Sequence, residues 1–411
     1  SKHNGGGQNY SGTIKTIKPT PEEKTTTTPS KNPLLRLPPQ SLRLIASHLT
    51  LQEIVHNLFL SSSTFGTSFI QRSNGLGRLN FSPSKNWCSR SILENQPTIN
   101  WNKWTKGVTE LCIVSKQKAG MPIHELAALL QACSTTLHSF SMTSNTPLNN
   151  DINLRTVFNL FTDEGAPTNS TTDTSKSTTN AMQSTSMFPH LVSITCSNII
   201  MNDIFYFLHA TNVQTLRRLK ITRNNSFGNS DLRALAEHQL LNHLEELHIE
   251  SCPIDMPSVI HLLETSITPS TDNESKKSPT LSTTTSTSSE SLLSSLKLSV
   301  GGMGKSGSHL DGSSLLRFLA KHANAITLNT LSLQGSDIDI ESMGVFAKQC
   351  GSSLLQLTCG GRKTNDDIME CICLHYPTVL KTLSLSQSVI TNAGVGMVAS
   401  KCIYLHHLDL S

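Results

Sequence analysis

Aromatic side chains make up only 5% of the 411 residues, and the three tryptophans, Trp87, Trp101 and Trp104, fall in one short stretch. A core in this chain has to be built from aliphatic side chains. Charge is scarce as well: Asp, Glu, Lys and Arg together are 15%, with a net charge of +4. That balance excludes an argument from bulk charge for a nucleic-acid or anionic-membrane partner. No apolar run reaches the roughly 18 residues of a bilayer-spanning helix. The first residues, SKHNGGGQNYSGT, contain no apolar core of a signal peptide, and the chain starts at Ser1 rather than Met, so it reads as a piece of a longer chain. The ten cysteines are scattered instead of forming a dense framework. Free thiols in a reducing compartment fit that pattern, which places the protein in the cytoplasm and/or nucleus.

Signatures of chemistry are missing too. The run SVGGMGKS, Ser299 to Ser306, ends like a phosphate-binding loop, but Ser299 stands where the first glycine is needed and Gly307-Ser308 delays the helix. Cys371 and His375 would share a helix face, but Cys373 points away, and two ligands do not close a zinc site. No catalytic residue, cofactor site or metal site is expected, and the chain reads as a non-enzyme.

What is present is a repeat. The template LxxLxL starts at Val108, Leu137, Leu191, Leu216, Leu244, Leu293, Leu328, Leu354, Leu380 and Leu405. Two Ser/Thr-rich tracts, about 145–187 and 268–292, interrupt it, and without them the period is about 26 residues. Helical stretches lie between the strands. Strand, turn and helix at this period predict an α/β fold: a curved leucine-rich-repeat solenoid, parallel strands inside and helices outside. The last strand, Leu405 to Leu410, has no helix after it. The chain is therefore expected to continue beyond Ser411, with Leu408 and Leu410 less covered than Leu383 and Leu385.

Alternation along each strand sends repeat positions 4 and 6 inward and positions 3, 5 and 7 outward. Most outward residues are small and polar. The exception is a charged spot, with Arg218 and Lys220 on one strand beside Glu246, His248 and Glu250 on the next. These five are the candidate target-binding residues, and parallel register predicts that Arg218 lies near Glu246. Cys133, Cys350 and Cys402 precede strands, where a small apolar side chain fits a tight corner.

Residues 1–33 are rich in Gly, Thr, Pro, Lys and Ser and predict disorder. Residues 34–75 predict short amphipathic helices, with Leu42, Ile45 and Leu49 on one face, then Ile54 and Leu58. Thr50 and Glu53 are placed as a capping box. Residues 76–107 read as a junction or capping region, with Leu76, Leu79 and Phe81 fitting the strand template once. Repeats fill 108–411. Five Ser-Pro or Thr-Pro pairs, Thr20-Pro21 and Ser278-Pro279 among them, lie in the low-complexity segments, where phosphorylation would add charge.

The helical segment resembles an F-box. Leu37-Pro38 matches the opening of that family, Leu42, Ile45 and Leu49 its first amphipathic helix, Gln52-Glu53-Ile54 its second, and Phe65 its closing aromatic. Gln40 stands where a Glu is usual. The motif around Ile390-Thr391-Asn392-Ala393-Gly394, with Cys402 after its helix, is similar to the cysteine-containing repeats of F-box/leucine-rich-repeat proteins. The resemblance implies a substrate receptor of an SCF-type, cullin–RING ubiquitin ligase. Leu37, Pro38, Leu42, Ile45, Leu49 and Ile54 would then contact the Skp-type adaptor, and the repeats an unidentified target protein, with no nucleic acid or membrane involved. The alternative from the same residues is a leucine-rich-repeat interaction scaffold with no ubiquitin link, its helical segment acting only as an N-terminal cap.

Overall fold

A computed structural model describes residues 33–48, 78–81, 107–115, 123–144, 187–198, 208, 214–237, 242–267, 293–299, 310–361 and 363–410. Segment 1–32, the tryptophans and nearly all of both Ser/Thr-rich tracts lie outside the described residues. So do Leu49, Ile54, Thr50, Glu53 and Phe65, and residues 300–309 of the glycine-rich run.

The described strands are β1 (Arg78–Phe81), β2 (Glu110–Ser115), β3 (Ser139–Ser144), β4 (Ser193–Ser197), β5 (Arg218–Thr222), β6 (Glu246–Glu250), β7 (Ser295–Ser299), β8 (Leu310–Asp311), β9 (Thr330–Gln334), β10 (Ser336–Asp337), β11 (Gln356–Gly360), β12 (Thr382–Ser384) and β13 (His407–Asp409). The helices are α1 (Pro39–His48), α2 (Ile123–Cys133), α3 (Asn229–Glu237), α4 (Met256–Ile267), α5 (Gly312–Lys321), α6 (Ile340–Cys350), α7 (Asp366–His375) and α8 (Asn392–Lys401). Eleven strands form one sheet in the order β1-β2-β3-β4-β5-β6-β7-β9-β11-β12-β13, and β8 and β10 form a small second ladder. Each pairing in the main sheet is parallel. Sequence order equals spatial order along that sheet. The chain therefore advances one strand per repeat, and the fold is an α/β leucine-rich-repeat solenoid.

The leucine template explains the register. Leu219, Leu247, Leu296 and Leu331 stand side by side across β5, β6, β7 and β9. Shifting any strand by one residue would turn its leucines outward, so one buried face is enough to set the pairing. These residues, and the template residues that start each repeat from Val108 to Leu380, are sealed in one continuous core, against which Leu405 packs half-buried. The helices cover that core's other side, with α3 on α4, α4 on α5, α5 on α6, α6 on α7 and α7 on α8. Side-chain caps set where helices begin. Asp311 accepts from the Ser314 N–H, Asp339 from Ser342 and Asn365 from Ile368. Caps also tie neighbouring repeats, since the Asp339 N–H donates to Ser313 Oγ at 2.8 Å and the Asp255 N–H to Asn229 Oδ1 at 2.8 Å.

One expectation needs correction. Position 7 does not face outward throughout: Ser197, Thr222, Gly360 and Ser386 are buried there. The strand ends at this point, because position 8 turns the chain. Asn198, Arg223, Ser251 and Gln387 have φ between 52° and 62°, and Gly335 has φ 75°. Left-handed backbone at this repeat position ends the strand there, although Gly360 is buried without it and Glu250 stays half-exposed beside Ser251. At Gly360 the crowding is severe, as a Cβ would lie 2.0 Å from the Ser386 carbonyl oxygen.

At the N-terminal end, a 3₁₀ turn, Pro33–Arg36, leads into α1, which packs against β1. β1 pairs in register with β2, as a single extra template strand. At the other end, Leu383 and Leu385 are fully buried, Leu408 is half-buried and Leu410 is 45% exposed.

Candidate functional site

The charged spot lies on the outward face of β5, β6 and β7, where neighbouring repeats bring three registers together. Arg218, Glu246 and Ser295 form one row, Lys220, His248 and Lys297 the next, and Thr222, Glu250 and Ser299 the third. The middle row is thus three nitrogen bases abreast. It continues on one side into Thr195 and Ser141 and on the other into Ser332, Thr358 and Ser384. In this middle row the long nitrogen-bearing side chains stand on β5, β6 and β7, and Thr195, Ser141, Ser332, Thr358 and Ser384 on either side carry short hydroxyls.

The ion pairs differ from the expected set. Arg218 is the register partner of Glu246, but the Glu246 carboxylate pairs with Lys297 instead, at 3.2 Å. Glu250 lies 3.3 Å from Nε2 of His248 on its own strand. Behind the face, Arg217 reaches Glu245 at 3.6 Å, and its guanidinium also donates to the backbone carbonyls of Gln214 and His243. Both acidic residues of β6 on the outward face are therefore engaged. Among the described residues, Arg218 and Lys220 have no ion-pair partner.

His248 is mostly buried between the two lysines. Its imidazole is held below its ordinary proton affinity, first by burial and then by Lys220. Lys297 pushes the same way, and Glu250 and Glu246 oppose them. At neutral pH the ring is therefore neutral, able to donate from one nitrogen and accept at the other.

The residues expected to meet an adaptor divide by face. Leu42 is fully buried in the solenoid core and Ile45 packs against it. Leu37 and Pro38 are exposed. Leu34 and Leu44, not among the expected contacts, are exposed as well, Leu44 to 63%. The amphipathic period puts Leu42 and Ile45 on one face, and the surface that face meets here is the repeat core. Leu49 and Ile54 lie outside the described residues.

The cysteines are structural. All nine among the described residues are free, and burial pushes the thiols of Cys196, Cys359 and Cys373 up to about 12. Cys373 and Cys402 lie with their sulfurs 3.8 Å apart where α7 and α8 meet the core. Thiols held in the protonated form are poor nucleophiles and poor ligands. Among the described residues, no three His, Cys, Asp or Glu side chains gather to hold a metal, and no helix is long and apolar enough to cross a membrane. Asn224 begins an N-x-S sequon but is buried, with its side-chain oxygen accepting from the Ser226 N–H and hydroxyl.

No protein-family model matches the chain. No curated protein matches it either. Among solved structures, it is similar to a chain in the crystal structure of the Rad7 and Elc1 complex in yeast, at 15% identity and a TM-score of 0.48, over 90% of this chain and 81% of that one. It is also similar to a leucine-rich-repeat protein of Leptospira interrogans, at 14% identity and a TM-score of 0.32, over 84% of this chain and 80% of that one.

Proposed function

We propose that the chain is a non-enzymatic receptor that joins two proteins: an adaptor at the N-terminal helical segment and a target on the strand face of the repeats. The observation that carries this reading is the two-sided build of the helical segment. Leu42 and Ile45 root it in the solenoid, while Leu34, Leu37 and Leu44 remain exposed on it. Large apolar side chains left together outside a core are the usual material of a binding surface. With the sequence resemblance to an F-box, the adaptor is of the Skp type and the assembly is an SCF-type ubiquitin ligase of the cytoplasm and/or nucleus. The mechanism needs no chemistry from this chain. A segment fixed to a stiff solenoid holds a bound target close to the ubiquitin-charged partner and raises its effective concentration.

The rooting of Leu42 and Ile45 revises which residues meet the adaptor. Leu34, Leu37, Pro38 and Leu44 take that role, and Leu42 and Ile45 act through stability. Mixing the chain with a purified Skp-type adaptor and measuring the mass of the product by light scattering tests the assignment. A 1:1 complex is expected, and two separate species would contradict it.

A second reading is favoured by one observation: Leu42 completes the core next to β1, as a cap would. In that case the segment only closes the solenoid, and the protein is an interaction scaffold with no ubiquitin link. The same measurement separates the two.

A further inference from the structure

We propose that the edge of the solenoid built from the C-terminal ends of α5 to α8 docks an acidic amphipathic helix of a partner protein. This surface is separate from the strand face and from the N-terminal segment, and the inference stands without either.

Three observations carry it. First, parallel strands make successive helices run the same way, so the packed helices α5, α6, α7 and α8 end along one edge. Their last turns carry Lys321, Lys348, His375 and Lys401. Lys381 and His406 extend the row just before β12 and β13, where the His406 N–H donates to the Lys381 carbonyl at 2.8 Å. Lys321, Lys348, Lys381 and Lys401 are exposed, and among the described residues none has an ion-pair partner.

Second, residues 319–329, 346–355, 371–381 and 398–407, which build this edge, contain no Asp or Glu. A cation in the last turn complements the helix dipole, but that effect fades within the turn, and the absence of carboxylates extends past it. Acidic residues collect at the opposite edge, where Asp311, Asp339 and Asp366 stand at helix starts. The repeats before α5 break the pattern with Glu237, Glu245 and Glu264. Third, the cations are interleaved with exposed apolar side chains. Leu374 precedes His375, and Ile403 and Tyr404 lie between Lys401 and His406; all three are more than half exposed.

Spacing selects the partner. Packed helices lie about 8–10 Å apart, so the row from α5 to α8 recurs at about that interval and spans roughly 24–30 Å. On an α-helix, carboxylates seven residues apart are separated by about 10.5 Å along one face, and roughly 16–20 residues cover the row. An apolar stripe beside those carboxylates would meet Leu374, Ile403 and Tyr404. A nucleic-acid strand carries a charge about every 3.4 Å, far denser than one cation per repeat. An anionic bilayer is held by dense Lys and Arg clusters, whereas two of the six positions here are histidines.

The test pans the full chain against a displayed library of 21-residue helices with Glu, Gln or Lys fixed at every seventh position and the rest degenerate. Selected helices are titrated by fluorescence anisotropy against wild type, Lys348→Gln with Lys401→Gln, Leu374→Ser with Tyr404→Ser, and Lys220→Gln as a control on the strand face. Phosphatidylserine vesicles and duplex DNA form two further arms. The Glu arm is expected to be enriched, with binding that weakens as salt rises. Each double variant should weaken it about tenfold with the fold intact by circular dichroism, and Lys220→Gln should leave it unchanged. No enrichment, or equal enrichment in the Gln or Lys arm, overturns the inference, as does helix binding that ignores both double variants. Vesicle or DNA binding tighter than the selected helices and lost in Lys348→Gln with Lys401→Gln would overturn the assignment to a protein helix.

Discussion

Glu246 ignores its register partner. Arg218 stands directly across from it on β5, but the carboxylate bonds Lys297 on β7 at 3.2 Å. A double-mutant cycle on Glu246→Gln and Lys297→Met, read by urea denaturation, should give a coupling of about 0.2–1 kcal/mol, as for other part-exposed pairs. The matching cycle with Arg218→Met should give a coupling near zero. A larger coupling to Arg218 than to Lys297 would mean that the register partner holds the carboxylate after all.

Tyr376 is fully buried where α7 ends, and its hydroxyl has no hydrogen-bond partner among the described residues. Burial pushes its proton affinity up, and the neighbouring thiols of Cys350, Cys371 and Cys359 push it further the same way. A buried hydroxyl without a partner costs about 1–3 kcal/mol. Tyr376→Phe should therefore be neutral or stabilising by up to about 2 kcal/mol. A loss above about 1 kcal/mol on chemical denaturation would show that the hydroxyl is bonded after all.

Two leucines at one register position provide a test of the solenoid's cooperativity. Leu383 on β12 pairs with Leu408 on β13, but only the first is fully buried. Leu383→Ala should cost about 2–5 kcal/mol by removing contacts and leaving a cavity. Leu408→Ala should cost about 1 kcal/mol or less, since its surroundings are already open on one side. Equal costs would indicate that the end strand is covered in solution.

Much of this was legible in the sequence. The leucine template fixes inward positions on the strands of the main sheet, so the parallel sheet, the period of about 26 residues and the helices between strands follow from spacing alone, and the small β8–β10 ladder does not. The candidate site was legible as a pair of charged rows, since Arg218 and Lys220 alternate with leucines that must point inward. Its pairing was not, because side-chain reach, rather than register, selects Lys297 for Glu246. The left-handed turn at position 8 was hidden as well. Asn198, Arg223, Ser251 and Gln387 share no residue type, so only the backbone reveals what they have in common. Amphipathic spacing put Leu42 and Ile45 on one helix face, but it cannot say what that face meets; in the structure Leu42 is buried in the core and Ile45 partly buried against it.

The depressed proton affinity of His248 sets a pH window. The unfolded chain protonates this ring near pH 6.5, and the folded chain only at lower pH. Its contribution to stability is intact above 6.5 and is lost as pH falls through 6.5 toward the folded value. The urea midpoint should therefore drop between pH 7.5 and pH 5.5, and His248→Gln should flatten that drop. An unchanged slope in the variant would mean that other groups carry the dependence.

The central claim is that the exposed leucines of the N-terminal segment dock an adaptor while Leu42 anchors the segment. The most direct measurement is adaptor affinity, by calorimetry, for Leu37→Ser combined with Leu44→Ser, alongside the melting temperature of the same variant. The account predicts a loss of affinity of about 30-fold or more with melting unchanged, as expected for apolar anchors at a binding surface. Affinity equal to wild type in a fully folded double variant would contradict it.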